Sequence, residues 1–388
     1  MQDQFGPLAR VPAKFRRRDD AVTVSDNERR LLEIIRRTGV TSRAELTRAT
    51  ELAPQSISRL IEGLEARGLV TLGERQAANG PGQPSLAVRL APRAAISVGV
   101  SIMTDRVAVA TMGFDGAILG ERTLRPVDMS IEAVIADVEA EIAATFAAKE
   151  LDRSRLFGVG VGMSGFFTGK GVRMNPPDPL AHWSVVDLDA RWMDALGLPV
   201  WVENDGNAAA IGESLFGVGL THPSFAYLYF TYGLGGGVVI DGTLLRGVFG
   251  NAGEFSAVLP PERHDRRPTL ETLRRAIVAA GVEVTDIGDL EQRFDPAWPG
   301  VEDWIERVRE PLCDIISAIS GVLDTGAIVF GGQIPKPLAR MLAGRVEFYN
   351  RARRGELRPT PQLLVSPLKG SAAALGAASM PLKYGFFQ

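Results

Sequence analysis

The chain has 388 residues, 45% of them apolar, one cysteine and a formal net charge of −3. That length exceeds one ordinary domain, and the apolar content supports sizeable cores. The lone Cys313 excludes an intrachain disulfide and a cysteine-rich zinc cluster. No apolar run reaches the roughly 18–20 residues of a membrane span, and the opening MQDQFGPLAR carries no apolar signal core. The expected compartment is the cytoplasm, with no membrane partner.

Charge is spread unevenly. Residues 1–92 hold 15 Lys/Arg against 11 Asp/Glu, while the remainder holds 28 against 35. A basic N-terminal piece on an acidic body suits a head that binds nucleic acid. The stretch RVPAKFRRRDD (Arg10–Asp20) marks residues 1–24 as a basic arm. Ser25 and Glu28 then have the spacing of a capping box, followed by Leu31, Leu32, Ile34 and Ile35 at helical spacing and by Gly39 as a stop. A second helix opens at Thr41 or Ser42. A third, PQSISRLIEGLEARG, starts with Pro54, which suits a first helical position. Its residues Ile57, Leu60, Ile61 and Leu64 form a stripe to bury. Gln55, Ser56, Ser58 and Arg59 lie on the other side of its N-terminal end, where a helix-turn-helix meets base edges. GLVTLGERQAANGPGQPSLAVRL reads as two strands around a Gly/Pro/Asn loop, the layout of a wing. Arg43 and Arg75 would suit phosphates, contacts that position without reading sequence. A three-helix protein-interaction bundle with a hairpin is the other reading of residues 25–92.

From residue 93 the pattern becomes strands interleaved with helices, in two similar halves. AAISVGVSIMTDRVAVATMGFDGAILGERTL reads as three strands, SIEAVIADVEAEIAATFAAKE as an amphipathic helix, and LFGVGVGMSGFF as a buried strand ending in a Ser164-Gly165 loop. VWVEND is a further strand, and small residues then start a helix. FAYLYFTYGLGGGVVIDGTLLRG, GAIVFGGQIP and GSAAALGAASMPL repeat the alternation. This predicts an α/β body of two lobes with a cleft between them, and cleft loops are where ligands bind. At the junction after VWVEND, Asp205 has three readings from chemistry alone: a base, a hook for a polar ligand, or a helix cap.

The ordered set VENDGNAAAIGE, GLGGGVVIDGTLLRGVFGNAGEF and IVFGGQIP, behind such a head, resembles the ROK family (repressors, open reading frames and kinases) in its form with an N-terminal winged helix-turn-helix. The resemblance runs from about Ser25 to the C-terminus. It implies a two-lobed actin-like, hexokinase-like (ribonuclease H-like) α/β body that works as a sugar kinase or a sugar-responsive regulator, commonly dimeric. It places lobe one at about 93–202 plus the C-terminal helix, about 371–388, and lobe two at about 203–370.

The resemblance also defines what a kinase would need. The family's kinases carry an Asp-x-Gly-Gly-Thr-Lys phosphate hairpin; here GVSIMTDR puts Ser101 at the Asp and Met103 and Thr104 at the glycines. A thioether is a poor cradle for phosphate. In TYGLGGG, Gly233, Gly235 and Gly237 persist, but Thr231-Tyr232 replaces Gly-Thr. Asp205 matches the family's base, which takes a sugar hydroxyl proton; it also suits two hydroxyl donors, with Asn204 beside it. Glu254 matches a sugar-binding Glu. Ser256 and Ala257 stand in the Gly and His places, and the zinc loop is replaced by LPPERHDRRPTLETL, so neither metal nor cofactor is expected and His264 reads as a surface residue. Ser164, Gly165 and Asn175 are the candidate contacts on the other wall. The expectation is a dimeric or tetrameric regulator that binds operator DNA and a sugar or cyclitol, with a ROK-type sugar kinase carrying a DNA head as the alternative.

Overall fold

The computed structural model describes residues 23–76, 85–169, 172–184 and 186–387. The basic arm, but for residues 23 and 24, and the tip of the wing lie outside them.

The head is built by local signals. Helix α1 (Asp26–Thr38) starts in a capping box in which the Ser25 backbone N–H donates to Glu28 at 2.8 Å, and it ends at Gly39 with φ 71°. Strand β1 (Thr41–Ser42) leads into helix α2 (Arg43–Thr50), where Ser42 and Glu45 form a second capping box. Helix α3 (Pro54–Ala66) buries Ile57, Ile61 and Leu64, with Leu60 only half-buried. Strands β2 (Val70–Gln76) and β3 (Ser85–Leu90) pair antiparallel, and β1 adds to β3, giving the sheet of a winged helix.

Each lobe of the body holds a five-stranded sheet. In the first, β4 (Ile96–Ile102), β5 (Val107–Gly113) and β6 (Ile118–Leu124) run antiparallel. Helix α4 (Ile131–Ala148) returns the chain to β7 (Leu156–Met163), parallel to β4. The short hairpin β8 (Phe166–Phe167) and β9 (Met174–Asn175) and helix α5 (Leu188–Leu196) precede β10 (Val200–Asn204), parallel to β7. Helix α6 (Asp205–Phe216) crosses to the second lobe. There β11 (Phe225–Phe230), β12 (Leu234–Ile240) and β13 (Thr243–Leu245) again run antiparallel. Helices α7 (Leu270–Ala279), α8 (Ile287–Arg293) and α9 (Val301–Leu323) follow, then β14 (Ala327–Gly332), α10 (Lys336–Ala343), β15 (Gln362–Val365) and α11 (Ala372–Phe386). The orders β6-β5-β4-β7-β10 and β13-β12-β11-β14-β15 are the same topology twice. Burial on both faces explains the continuous apolar runs of β7 and β14 and the small Ser97 and Ser101 among the apolar residues of β4.

The two crossing helices exchange lobes. Helix α6, leaving lobe one, packs on β11 and β12; α11, leaving lobe two, packs on β4, β5 and β7. They meet where a Cβ on Gly376 would stand 1.7 Å from the Ala208 carbonyl, and one on Gly212 3.0 Å from Gly376. Small residues there allow backbone-to-backbone packing. Pro311 lies inside α9, and the Arg307 carbonyl it leaves without a helical N–H accepts from Arg266 Nε at 3.3 Å.

Candidate functional site

Asp205 is the first residue of α6, at the floor of the cleft and only 5% exposed. It is not the cap: Asn204 is, its Oδ1 accepting from the Asn207 N–H at 3.1 Å. The Asp205 carboxylate still serves the helix at the Gly206 N–H, but it is not its side-chain cap. Ser164 Oγ donates to Oδ2 and the Gly206 N–H to Oδ1 at 2.9 Å. Burial raises the Asp205 pKa to about 6, against the lowering effect of the Ser164 hydrogen bond. Asn204 Nδ2 donates to the Gly165 carbonyl at 2.7 Å, so β10 and the β7–β8 loop form one wall. Gly165 has φ 133°, and a Cβ there would meet the Asn175 carbonyl at 2.6 Å. The Asn175 side chain is exposed and accepts from Ser184 Oγ at 3.4 Å. The Asn175 backbone carbonyl thus packs against the Gly165 loop, while its side chain turns to Ser184.

Glu254 comes from the opposite lobe. The loop 246–254 presses on β12: Gly253 has φ 103°, and a Cβ there would lie 2.6 Å from the Gly236 carbonyl. Burial, then the facing Asp205 charge, raise the Glu254 pKa to about 7, while Arg267 pulls it down. The two carboxylates are close enough for the Asp205 charge to act on Glu254, both are raised towards neutrality, and a carboxylate is an acceptor for hydroxyl donors. They sit on a support the sequence reading missed. Glu203, beside Asn204, accepts from Arg246 Nε and Nη2 at 2.9 and 2.5 Å and from Asn207 Nδ2 at 3.0 Å. Arg246 also donates to Tyr384 Oη at 3.0 Å. Asn251 joins the lobes, accepting from the Phe167 N–H at 2.8 Å and donating to its carbonyl at 2.9 Å. The available signal was the isolated Arg and Asn at the two ends of RGVFGN.

The other side of the cleft is built differently. A cavity of about 690 Å³ is lined by Met103, Arg106, Arg125, Tyr229, Gln333 and Ser371 among others. At the β4–β5 turn, Arg106 binds Asp105 and bridges the lobes to Asp286 at 3.2 Å; Arg125 adds a second contact to Asp286 at 3.1 Å. A Cβ on Gly288 would run into the Arg106 guanidinium. The N-terminus of α11 is closed by a carboxylate of the chain itself, Glu121, which accepts from the Ser371 N–H at 2.6 Å. Of the three glycines that persist in TYGLGGG, Gly233 and Gly235 have open space, but Gly237 is needed for packing: a Cβ would lie 2.7 Å from Ala210 Cβ of α6. His264 is exposed and contacts Arg267 at 2.6 Å.

On the head, Gln55, Ser56 and Arg59 are exposed and Ser58 is half-buried at the N-terminal end of α3. Arg43 is half-buried and reaches Glu62 at 3.8 Å. Arg75 lies in β2 on the approach to the wing.

Fold and site together define a two-lobed α/β body with a polar cleft, carried behind a winged helix. The sequence model of the ROK family matches residues 97–264, and that of the MarR family matches 23–79. The chain thus carries a ROK family domain behind a MarR-type winged-helix DNA-binding domain. It is 29% identical to protein y4fQ of Sinorhizobium fredii over 94% of this chain and 92% of that one. It is 27% identical to the xylose repressor of Bacillus subtilis over 59% of each, and 31% identical to a glucokinase of Streptomyces coelicolor over 42% of this chain and 49% of that one. Among solved structures, a ROK family transcriptional regulator, a homolog of the E. coli MLC protein, superposes with TM-score 0.69 at 23% identity, covering 93% of this chain and 96% of that one.

Proposed function

We propose that the protein is a sugar-responsive, DNA-binding transcriptional repressor without kinase activity. The observation that carries the reading is the contrast within one cleft. On the Asp205 side, Ser164, Asn204, Asp205 and Glu254 offer polar groups to a polyol, with the Gly165 loop and the Asn175 backbone closing the wall. On the far side, Met103, the Arg106–Asp286 bridge and the Glu121 carboxylate stand where nucleotide phosphates would need amides and a metal ligand. Similarity to the xylose repressor supports the sugar-linked role, and the MarR-type head supports operator DNA as partner. In this reading Gln55, Ser56, Ser58 and Arg59 are the residues for the bases, and Arg43 and Arg75 those for phosphate contacts. The working division is an arm at 1–24, the head at 25–92 and the body at 93–388, acting in the cytoplasm as a dimer or tetramer.

Fluorescence anisotropy on duplexes from upstream of its own coding region, with sugars and cyclitols titrated in, tests this. Salt-sensitive binding altered by one sugar is the expected result. Absence of specific binding in every condition would overturn it. A ROK-type sugar kinase is the second reading, favoured by one feature: a buried carboxylate with a pKa of about 6 is poised as a base at neutral pH. Hexose-dependent ATP turnover, abolished by Asp205→Asn, would establish that reading.

A further inference from the structure

Both central helices end on the DNA-binding head. Helix α6 begins at Asp205, and near its other end the Leu215 carbonyl accepts from Arg36 Nη1 at 2.8 Å. Helix α11 begins beside the cavity lined by Met103 and Ser371, and at its end the Tyr384 and Phe387 carbonyls accept from Arg29 Nη1 at 3.1 and 3.4 Å. The Leu215 and Tyr384 carbonyls belong to final helical turns, which have no helical N–H partner and carry the negative end of the helix dipole. Two arginines of α1 supply the missing donors and the opposite charge. They are seven residues apart, two turns along one face of α1.

Arg36 is built in. Its side chain is 5% exposed, Glu33 accepts from its Nε and Nη2 at 2.9 and 2.7 Å, and the guanidinium lies 5.9 Å from the Phe216 ring centre and 5.7 Å from that of Phe387. Around it, Leu31, Leu32 and Ile35 of α1 belong to one apolar cluster with Phe114 of the body, Leu382 and Phe386 of the C-terminal helix, and Phe387 just past its end. Phe114 stacks on Phe387 at 5.4 Å and meets Phe386 edge-on at 4.9 Å.

The geometry points to Arg36 and Arg29 as the positioning residues through which the state of the cleft sets the attitude of the head. Helix α6 rests on the lobe-two sheet and α11 on the lobe-one sheet. Their backbones touch at Gly212 and Gly376, which makes a pivot. Any rotation of one lobe against the other therefore displaces the two C-terminal ends relative to each other. Helix α1 is bonded to both ends and must turn with them, carrying α2 and α3. At 1.5 Å per residue, α6 spans about 18 Å from cleft to head and α11 about 22 Å. The coupling rests on the proposed function only for what the cleft binds.

Hydrogen–deuterium exchange of the full-length protein, with no sugar or DNA added, tests the coupling. The variants are Arg36→Met, which keeps the packing stem but not the donors, and Arg36→Met combined with Arg29→Met. Loss of these charged hydrogen bonds is expected to speed exchange about tenfold, and not only at residues 215–220 and 384–387 but also in the cleft at 203–209 and 246–254. Peptides of α2, α3 and α9 should not change. Arg36→Lys, which restores one donor, should return the cleft peptides part of the way. Faster exchange confined to the contact itself would overturn the proposal, as would equal cleft exchange in the Met and Lys variants. A thermal-shift panel of D-xylose, D-glucose and myo-inositol on wild-type protein separates the two readings. No shift with any of them counts against the sugar-sensor reading and leaves the exchange result standing.

Discussion

Replacing Asp205 with asparagine isolates the cost of holding a carboxylate at the start of α6. Its pKa rises from 3.8 to about 6, chiefly because the group is buried. At about 1.36 kcal/mol per pKa unit, the ionised form costs the fold roughly 3 kcal/mol. The sign follows from proton affinity: the folded state holds the proton more tightly than the unfolded chain. The penalty is therefore nearly absent below about pH 3, grows as pH rises and is complete above about pH 7. Asparagine removes the charge but keeps one acceptor oxygen, so one of the two hydrogen bonds from Ser164 and Gly206 is weakened, at about 1–2 kcal/mol. The net expectation at about pH 8 is a variant more stable by about 1–2 kcal/mol. Urea unfolding followed by circular dichroism is the assay, and the change from about pH 4.5 to about pH 8 is its sharper readout, because the hydrogen-bond loss largely cancels. The variant should gain about 2 kcal/mol relative to wild type over that interval. An effect of Asp205→Asn that is the same at both pH values would refute the claim that burial of a charge dominates this site.

Other outcomes follow from the same structure. Ligand affinity should rise with pH as Asp205 and Glu254 ionise around pKa values of about 6 and about 7, because hydroxyl donors need carboxylate acceptors; a pH-independent titration would count against these residues as the contacts. Arg246→Met should destabilise by about 3–5 kcal/mol, since it leaves Glu203 buried without its cation. Adding Glu203→Gln should recover much of that, which a double-mutant cycle in denaturant would measure. Gly376→Ala drives a methyl into the Ala208 carbonyl and should cost about 3 kcal/mol or more, seen as a fall in melting temperature. Arg59→Ala should weaken operator binding by about 1–3 kcal/mol and leave ligand affinity intact; unchanged discrimination against random DNA would remove it from the base-reading set.

The head was legible because its signals are short-range. Ser25 with Glu28, Ser42 with Glu45, Pro54 and the Ile57–Leu64 stripe act within one or two turns, so the sequence is enough to place three helices. The alternation of apolar runs and glycine loops likewise gave the two-lobed α/β body, and the Asn204–Asp205 junction announced itself by polarity at a strand end. Lobe two was harder to read: α9 hides behind Pro311, whose orphaned carbonyl is satisfied by Arg266, 41 residues away in the chain. Tertiary structure alone decided the partners of the charges. Nothing near Glu203 in the chain indicates Arg246, 43 residues on, or Tyr384, 138 beyond that. Nothing near Arg36 indicates the Leu215 carbonyl, 179 residues away. Periodicity and capping are properties of neighbours in sequence. Desolvation, pKa and the joining of cleft to head arise from groups the chain brings together only when both lobes close around α6 and α11.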